Sequence, residues 1–381
     1  MNSGGGKTLA KVRPAENLLM YSQHRAEAEG VGNSSECRIA VIGVGTGGSN
    51  TVSRLKESGS ASAKCVIIDT DCAKLRHSRA DEKILIGQKL TKGRGVRRNP
   101  KLGRAAAEES KKSVEALLSK VEIAFITAGL GGGTGAGAAP IVAEIMRSKG
   151  AATVGVVTMP FRVERGRDKS AAEALADMRR HCDTVVVIDN DKLAQLAPHL
   201  PMDEAFKVSD QVLANMIKGI VETISTPSLI NLDFADFKTI ISHGGMAVVG
   251  MGESDAPNRA EEAVRNAFRT PLYDLSYAGA TGALIHVTGD NRMTVQEANR
   301  VGEIASEIME GNVRIVWSAK VNPQQEGKLK VTLVMTGLDS PQRESRFGSI
   351  APQLFDLEPY AGHEKPIGID LDLYQMECGA S

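Results

Sequence analysis

Chemistry is concentrated in three stretches of the chain. Ala128-Gly129-Leu130-Gly131-Gly132-Gly133-Thr134-Gly135-Ala136-Gly137 carries six glycines in ten residues. That density costs backbone entropy in any ordered loop and so implies a use. Without Cβ atoms, successive N–H groups can line a concave nest, and a helix starting there adds its positive end. Phosphate is the usual occupant of such a nest. A second, shorter loop of the same kind is Gly43-Val44-Gly45-Thr46-Gly47-Gly48-Ser49-Asn50. The third stretch, Asn231-Leu232-Asp233-Phe234-Ala235-Asp236-Phe237, sets two carboxylates three residues apart. Such a pair could orient an attacking water.

The elements around these stretches follow from apolar patterning. A buried strand over 123–126 leads into the richer loop, and a helix over 138–146 leaves it. A strand over 38–42 leads into the shorter loop, with a helix over 50–58 and a second strand over 65–68 that ends in Asp69-Thr70-Asp71. Gly43-x-Gly45-x-x-Gly48 in that setting, with Asp69 ending the next strand, satisfies the dinucleotide fingerprint and would put Asp69 on a ribose. An NAD-dependent oxidoreductase is therefore the alternative reading. A dinucleotide fold, however, needs one phosphate loop. Two loops at the strand ends of one sheet favour a nucleoside triphosphate held from both sides.

Between the loops, Gly93-Arg94-Gly95-Val96-Arg97-Arg98-Asn99-Pro100 precedes a helix over 102–118. It could close over a γ-phosphate or stand as a solvated basic turn. A strand over 153–158, a charged helix over 168–180 and a strand over 184–188 ending in Asp189-Asn190-Asp191 complete an alternating pattern. Alternation of this kind means a parallel α/β sheet, with ligand loops at the carboxyl ends of its strands. A long helix over 203–225 presents Val212, Leu213, Met216, Ile217, Ile220, Val221 and Ile224 as a broad apolar face and stops before Pro227. It reads as a spine leading to a second lobe with strands over 246–250, 282–288, 313–319 and 329–336 and helices over 258–269 and 295–309.

The chain has 381 residues, enough for about two domains. Lys+Arg and Asp+Glu both number 46, which leaves no net field to draw the molecule onto nucleic acid or an anionic membrane. One Trp and 4% aromatics argue against a stacking surface for single strands. Five cysteines without a C-x-x-C spacing read as reduced thiols. No apolar run reaches the ~20 residues of a membrane span, and residues 1–7 lack the apolar core of a secretory signal.

Taken together, the motifs resemble the tubulin/FtsZ GTPases over roughly residues 37–338. Residues 131–137 resemble that family's signature loop, residues 43–50 its first phosphate loop, and residues 231–236 the FtsZ catalytic loop. The short tail resembles archaeal members. The resemblance implies an α/β fold: a parallel-sheet, Rossmann-like GTP-binding domain (37–202) joined by a central helix (203–226) to a smaller α+β domain (227–338). Residues 1–36 form a disordered arm, with a short helix over 15–29. Residues 339–381 form a linker and a partner-binding tail ending in Ile367-Gly368-Ile369-Asp370-Leu371-Asp372-Leu373-Tyr374.

Carried over position by position, the resemblance implies GTP/GDP with Mg²⁺, the metal held mainly through phosphates and water. Gly45, Thr46, Gly47 and Gly48, with Gly131, Gly132, Gly133 and Thr134, would hold the phosphates, and Asn50, Asp71 and Gly135 would also bind the nucleotide. Glu164 and Arg167 would lie by the ribose. Asn190 and Asp210 would read the guanine edge, with Phe206 stacked on the base. A carboxylate at 210 can accept from both guanine N1–H and the exocyclic amine, a pair adenine does not offer. Two departures stand out: Thr46 replaces a usual glycine, and Arg165 and Asp168 replace a usual glycine and arginine. Asn231, Asp233 and Asp236 would be catalytic. The spine carries them some 30 Å away at ~1.5 Å per residue, so they would serve the GTP of the next subunit. The partners implied are further copies of the chain, head to tail, and a membrane-anchor or division protein taken by the tail. The setting implied is the cytoplasm at the mid-cell division site. A GTP-binding scaffold without turnover is the third reading, opposed by the two carboxylates.

Overall fold

The computed structural model describes residues 39–59, 62–164, 166–191, 201–225, 234–242, 245–269, 279–309, 313–323 and 325–338. The N-terminal arm and its short helix, Arg165, Asn231, Asp233, the linker and the C-terminal motif lie outside the described residues.

Ten strands form one sheet: β1 Ile39–Val44, β2 Lys64–Asp69, β3 Glu82–Leu85, β4 Ile123–Gly129, β5 Ala152–Met159, β6 Thr184–Asp189, β7 Met246–Ser254, β8 Gly282–Gly289, β9 Arg314–Val321 and β10 Leu329–Leu338. The described helices are α1 Gly45–Glu57, α2 Cys72–His77, α3 Gln88–Thr91, α4 Pro100–Glu109, α5 Lys111–Leu117, α6 Gly133–Ser148, α7 Asp168–His181, α8 Met202–Ser225, α9 Phe234–Ile241, α10 Arg259–Arg269 and α11 Val295–Ile308. Strand order is β3-β2-β1-β4-β5-β6-β7-β10-β8-β9. The first six strands pair in parallel in the doubly wound order, so the topological switch falls between β1 and β4. Those two strands are the ones that precede the glycine loops. Both are buried along nearly their whole length, as a sheet covered on both faces requires.

Three expectations need correction, and one strand, β3, was not anticipated. The helices after the glycine loops begin within them, at Gly45 and Gly133 rather than at 50 and 138; glycine is a poor helix former, so propensity hides these first turns. The helix over 102–118 is two helices broken at Ser110, whose hydroxyl accepts the N–H of Gly87 at 3.0 Å. Strand β3 carries no apolar alternation because it is an exposed edge. Phe234 to Phe237 open helix α9 instead of lying in a loop.

The second lobe is also not a separate sheet. β7 continues the first one through two pairs, Val185 with Met246 and Val186 with Ala247. Beyond them, β10 runs antiparallel to β7 and to β8, and β9 runs parallel to β8. Phe237 of α9 meets Phe125 of β4 with ring centroids 6.2 Å apart, tying the lobes across this seam.

Candidate functional site: a two-loop phosphate cradle

The two glycine loops become two helix starts that touch. A Cβ on Gly45, whose φ is +71°, would stand 2.7 Å from the nitrogen of Gly135. Val44 and Gly132 cap α1 and α6 without any side-chain hydrogen bond, and neither first turn holds an acidic residue. The free N–H groups and positive helix ends are thus left for an anion. Gly45, Thr46, Gly47 and Gly48 make the first turn of α1. Gly131 and Gly132 lead into Gly133, Thr134 and Gly135 of α6.

Side chains around the cradle are held in place. Thr134 is 9% exposed, and its hydroxyl lies 2.8 Å from that of Thr70. Lys74 Nζ donates to the Thr46 hydroxyl at 2.6 Å, which brings a cation to the loop mouth where Thr46 departs from glycine. Asp71 caps α2, its Oδ1 accepting the N–H groups of Ala73 and Lys74. Asp69 is 2% exposed. Its Oδ1 accepts the N–H groups of Thr70 and Asp71, while its Oδ2 has no partner. Burial holds its carboxyl above the ordinary range. A ribose diol cannot reach a carboxylate so enclosed, and the dinucleotide alternative loses its second anchor.

A second group of the expected residues gathers where α8 meets α1. The Asp210 carboxyl faces the side chains of Asn50 and Thr51, and burial pushes it up to about 7 against the opposing pull of Arg54. Donors that replaced lost water would restore its charge, and guanine offers two. Asn190, 4% exposed, accepts from the Ser209 hydroxyl at 2.9 Å, which leaves its amide N–H groups for a ligand. Phe206 is 38% exposed and stands edge-on to Phe161, ring centroids 4.8 Å apart. Its position is set while part of its surface stays open. Glu164 and Arg167 form an ion pair, and Glu164 also accepts the N–H of Phe161. The Arg167 stem runs along Gly131, and its Nε is buried without a partner.

Asp236 lies elsewhere. It occupies the first turn of α9, half-exposed, and accepts from Arg314 Nη2 at 3.2 Å. Arg314 begins β9, which the chain of pairings makes co-directional with β1. The glycine loops leave the carboxyl ends of β1 and β4, whereas Asp236 sits at an amino end. It stands at the opposite end of the strands from the glycine loops of its own subunit.

Sequence reasoning left Thr70, Lys74, Phe161 and Arg314 out of the site. Lys74 could have been found, since it is one helical turn from Asp71; Arg314 had no signal. Among the described residues there is no cluster of three metal-ligating side chains, and no helix is long and apolar enough to cross a membrane.

Two uncapped helix starts at the topological switch of a parallel sheet define a doubly wound nucleotide-binding fold. The profile of the Tubulin/FtsZ family, GTPase domain, matches residues 38–198, and that of the FtsZ family, C-terminal domain, matches residues 245–339. Cell division protein FtsZ 2 of Methanocaldococcus jannaschii is 45% identical over 341 residues, covering 88% of this chain and 90% of the relative. Cell division protein FtsZ 1 of the same organism is 48% identical over 307 residues, covering 80% and 84%. A solved empty FtsZ dimer from M. jannaschii superposes with a TM-score of 0.77 at 46% identity, covering 84% of this chain and 91% of that one. The chain belongs to the tubulin/FtsZ family, on its FtsZ side, and is a GTP-hydrolysing enzyme of cell division. It binds GTP and GDP, and the oxidoreductase alternative falls with this finding.

Proposed function

We propose that subunits join head to tail and that each GTP is hydrolysed at the joint, by carboxylates of the next subunit. The observation that supports this reading is that Asp236 lies at the amino ends of the strands, away from the glycine loops at their carboxyl ends. A heterologous contact that does not close on itself extends into a filament.

Phosphoryl transfer leaves the protein positioning and charge stabilisation to perform. In this reading the N–H groups of Gly45 to Gly48 and Gly131 to Gly135 hold the phosphates. Asn190 and Asp210 select guanine, Phe206 covers the base, and Glu164 with Arg167 borders the ribose. Asn50 sets Asp210, and Asp71 holds α2 and Lys74 against the loop mouth. Asp233, Asp236 and Asn231 of the neighbour orient the attacking water. Mg²⁺ would be held mainly through phosphate and water, with the Thr134 hydroxyl as its protein neighbour. It would neutralise charge on the leaving diphosphate. The C-terminal motif docks a membrane-anchor or division protein, and the filament works in the cytoplasm at mid-cell.

GTP turnover per subunit, measured against protein concentration, tests the shared site: a threshold is expected. Mixing Asp236→Ala with Asp210→Ala should recover activity, because one variant keeps the nucleotide and the other keeps the carboxylate. Constant turnover down to dilute monomer, with no recovery in mixtures, would refute the proposal.

A further inference from the structure

Arg314 has no assigned role so far, yet a close-packed frame sets it against Asp236. It opens β9 with its N–H bonded to Thr281 O at 3.0 Å, and its register partner on β8 is Gly282. At Gly282, helix α9 presses onto the sheet. A Cβ there would stand 3.2 Å from Ile240 Cγ2 and 2.8 Å from Thr336 Oγ1. The Thr336 hydroxyl in turn donates to Ile240 O at 2.9 Å. Phe237, 2% exposed, fixes the inner face of α9 against Phe125. Contacts made by other residues thus bring Asp236 and Arg314 together, and both side chains remain half-exposed.

An exposed ion pair of this kind adds little to stability. Its effect on orientation is larger. Arg314 Nη2 donates to Asp236 Oδ1 at 3.2 Å, so one carboxylate oxygen is held and the direction of the other is set. Asp236 also lies in the first turn of α9. There, a carboxylate without an outside partner is drawn back to the unpaired N–H groups of its own helix. Arg314 opposes that withdrawal.

We infer that Arg314 is a positioning residue for hydrolysis: it holds the Asp236 carboxylate outward, toward the nucleotide of the adjoining subunit, and does not itself bind nucleotide. The inference rests on the shared site proposed above and deepens it by naming what orients its acid. Arg314 therefore acts on the neighbour's GTP, through Asp236, and leaves its own subunit's pocket unaffected.

The test is steady-state GTP turnover of the full chain, well above the assembly threshold, with thermal melting to check each variant's fold. Arg314→Ala should lower kcat about tenfold and change KM less than twofold, with Arg314→Lys recovering part of the loss. Arg300→Ala, which removes a similarly exposed pair with Glu303 on α11, is the control and should leave turnover unchanged. Adding Arg314→Ala to Asp236→Ala should cost nothing more than Asp236→Ala alone. Mixing Arg314→Ala with Asp210→Ala should restore activity, whereas mixing it with Asp236→Ala should not. Additive losses in the double variant, a raised KM with kcat retained, or no recovery with Asp210→Ala would overturn the inference. Failure of the Asp236→Ala and Asp210→Ala mixture to recover would instead count against the shared site itself.

Discussion

The cradle in the parallel strands and the helix start in the sheet beyond β7 are capped in opposite ways. In the parallel half, α1 and α6 start without side-chain caps, and Asp69 Oδ2 and Arg167 Nε are buried without partners. In the other half, α11 starts with a complete capping box between Thr294 and Glu297. Buried Arg259 donates to Glu297 at 2.7 Å, to Asp290 at 3.0 Å and to the carbonyl of Gly327 at 2.9 Å. His286, hydrogen-bonded to Ser318 and Thr288, is kept neutral by burial down to about pH 4. Buried polar groups without partners are destabilising, and Arg167 Nε lies beside Gly131 of the cradle. In the far half these groups bond to one another, although Gln325 Oε1 is buried without a partner there too.

The largest effect should come from breaking the network of the far half. Arg259→Ala leaves Asp290 and Glu297 facing one another and should lower stability by ~3 kcal/mol in denaturant titration, with GDP affinity of the remaining folded protein unchanged. Asp236→Ala is next: turnover should fall about 100-fold, roughly 2.7 kcal/mol of barrier, with nucleotide affinity and melting temperature retained. Asp210→Ala should weaken GTP by about 30-fold, the penalty for unpaired guanine donors, and reduce discrimination against ATP.

Asp210 also gives a pH test. Its carboxyl must be ionised to accept from guanine, so affinity should fall as pH drops below about 7. In the empty protein the sign is reversed. The folded state resists ionisation, so stability falls as pH rises from the ordinary carboxylate range to about 7, and Asp210→Asn should abolish that slope. A smaller loss, ~1 kcal/mol, is expected for Thr294→Ala through the lost cap. Deleting residues 365–381 should leave turnover unchanged and remove only partner recruitment in a pull-down; a large fall in turnover would tie the tail to the site.

Much of the parallel half was legible in the sequence because buried strands read as apolar runs and glycine clusters mark close approach. The boundaries of α1 and α6 were not, since nothing local distinguishes a glycine loop from a glycine helix turn that stays uncapped. The role of Asp210 came through resemblance. On its own it is a polar residue on a helix face, and only the packing of α8 on α1 brings it to Asn50 and Thr51. The pairing of Asp236 with Arg314 spans 78 positions of sequence, a separation no local pattern reports. The joining of the two lobes into one sheet was hidden for the same reason, because it depends on two residue pairs.

That narrow splice between Val185–Val186 and Met246–Ala247 has a mechanical meaning. In a filament each molecule is a link, and tension applied at one edge of the sheet must cross to the other. Backbone hydrogen bonding is thinnest at the splice, so strain concentrates there, with the Phe125–Phe237 contact and helix α8 bearing the remainder.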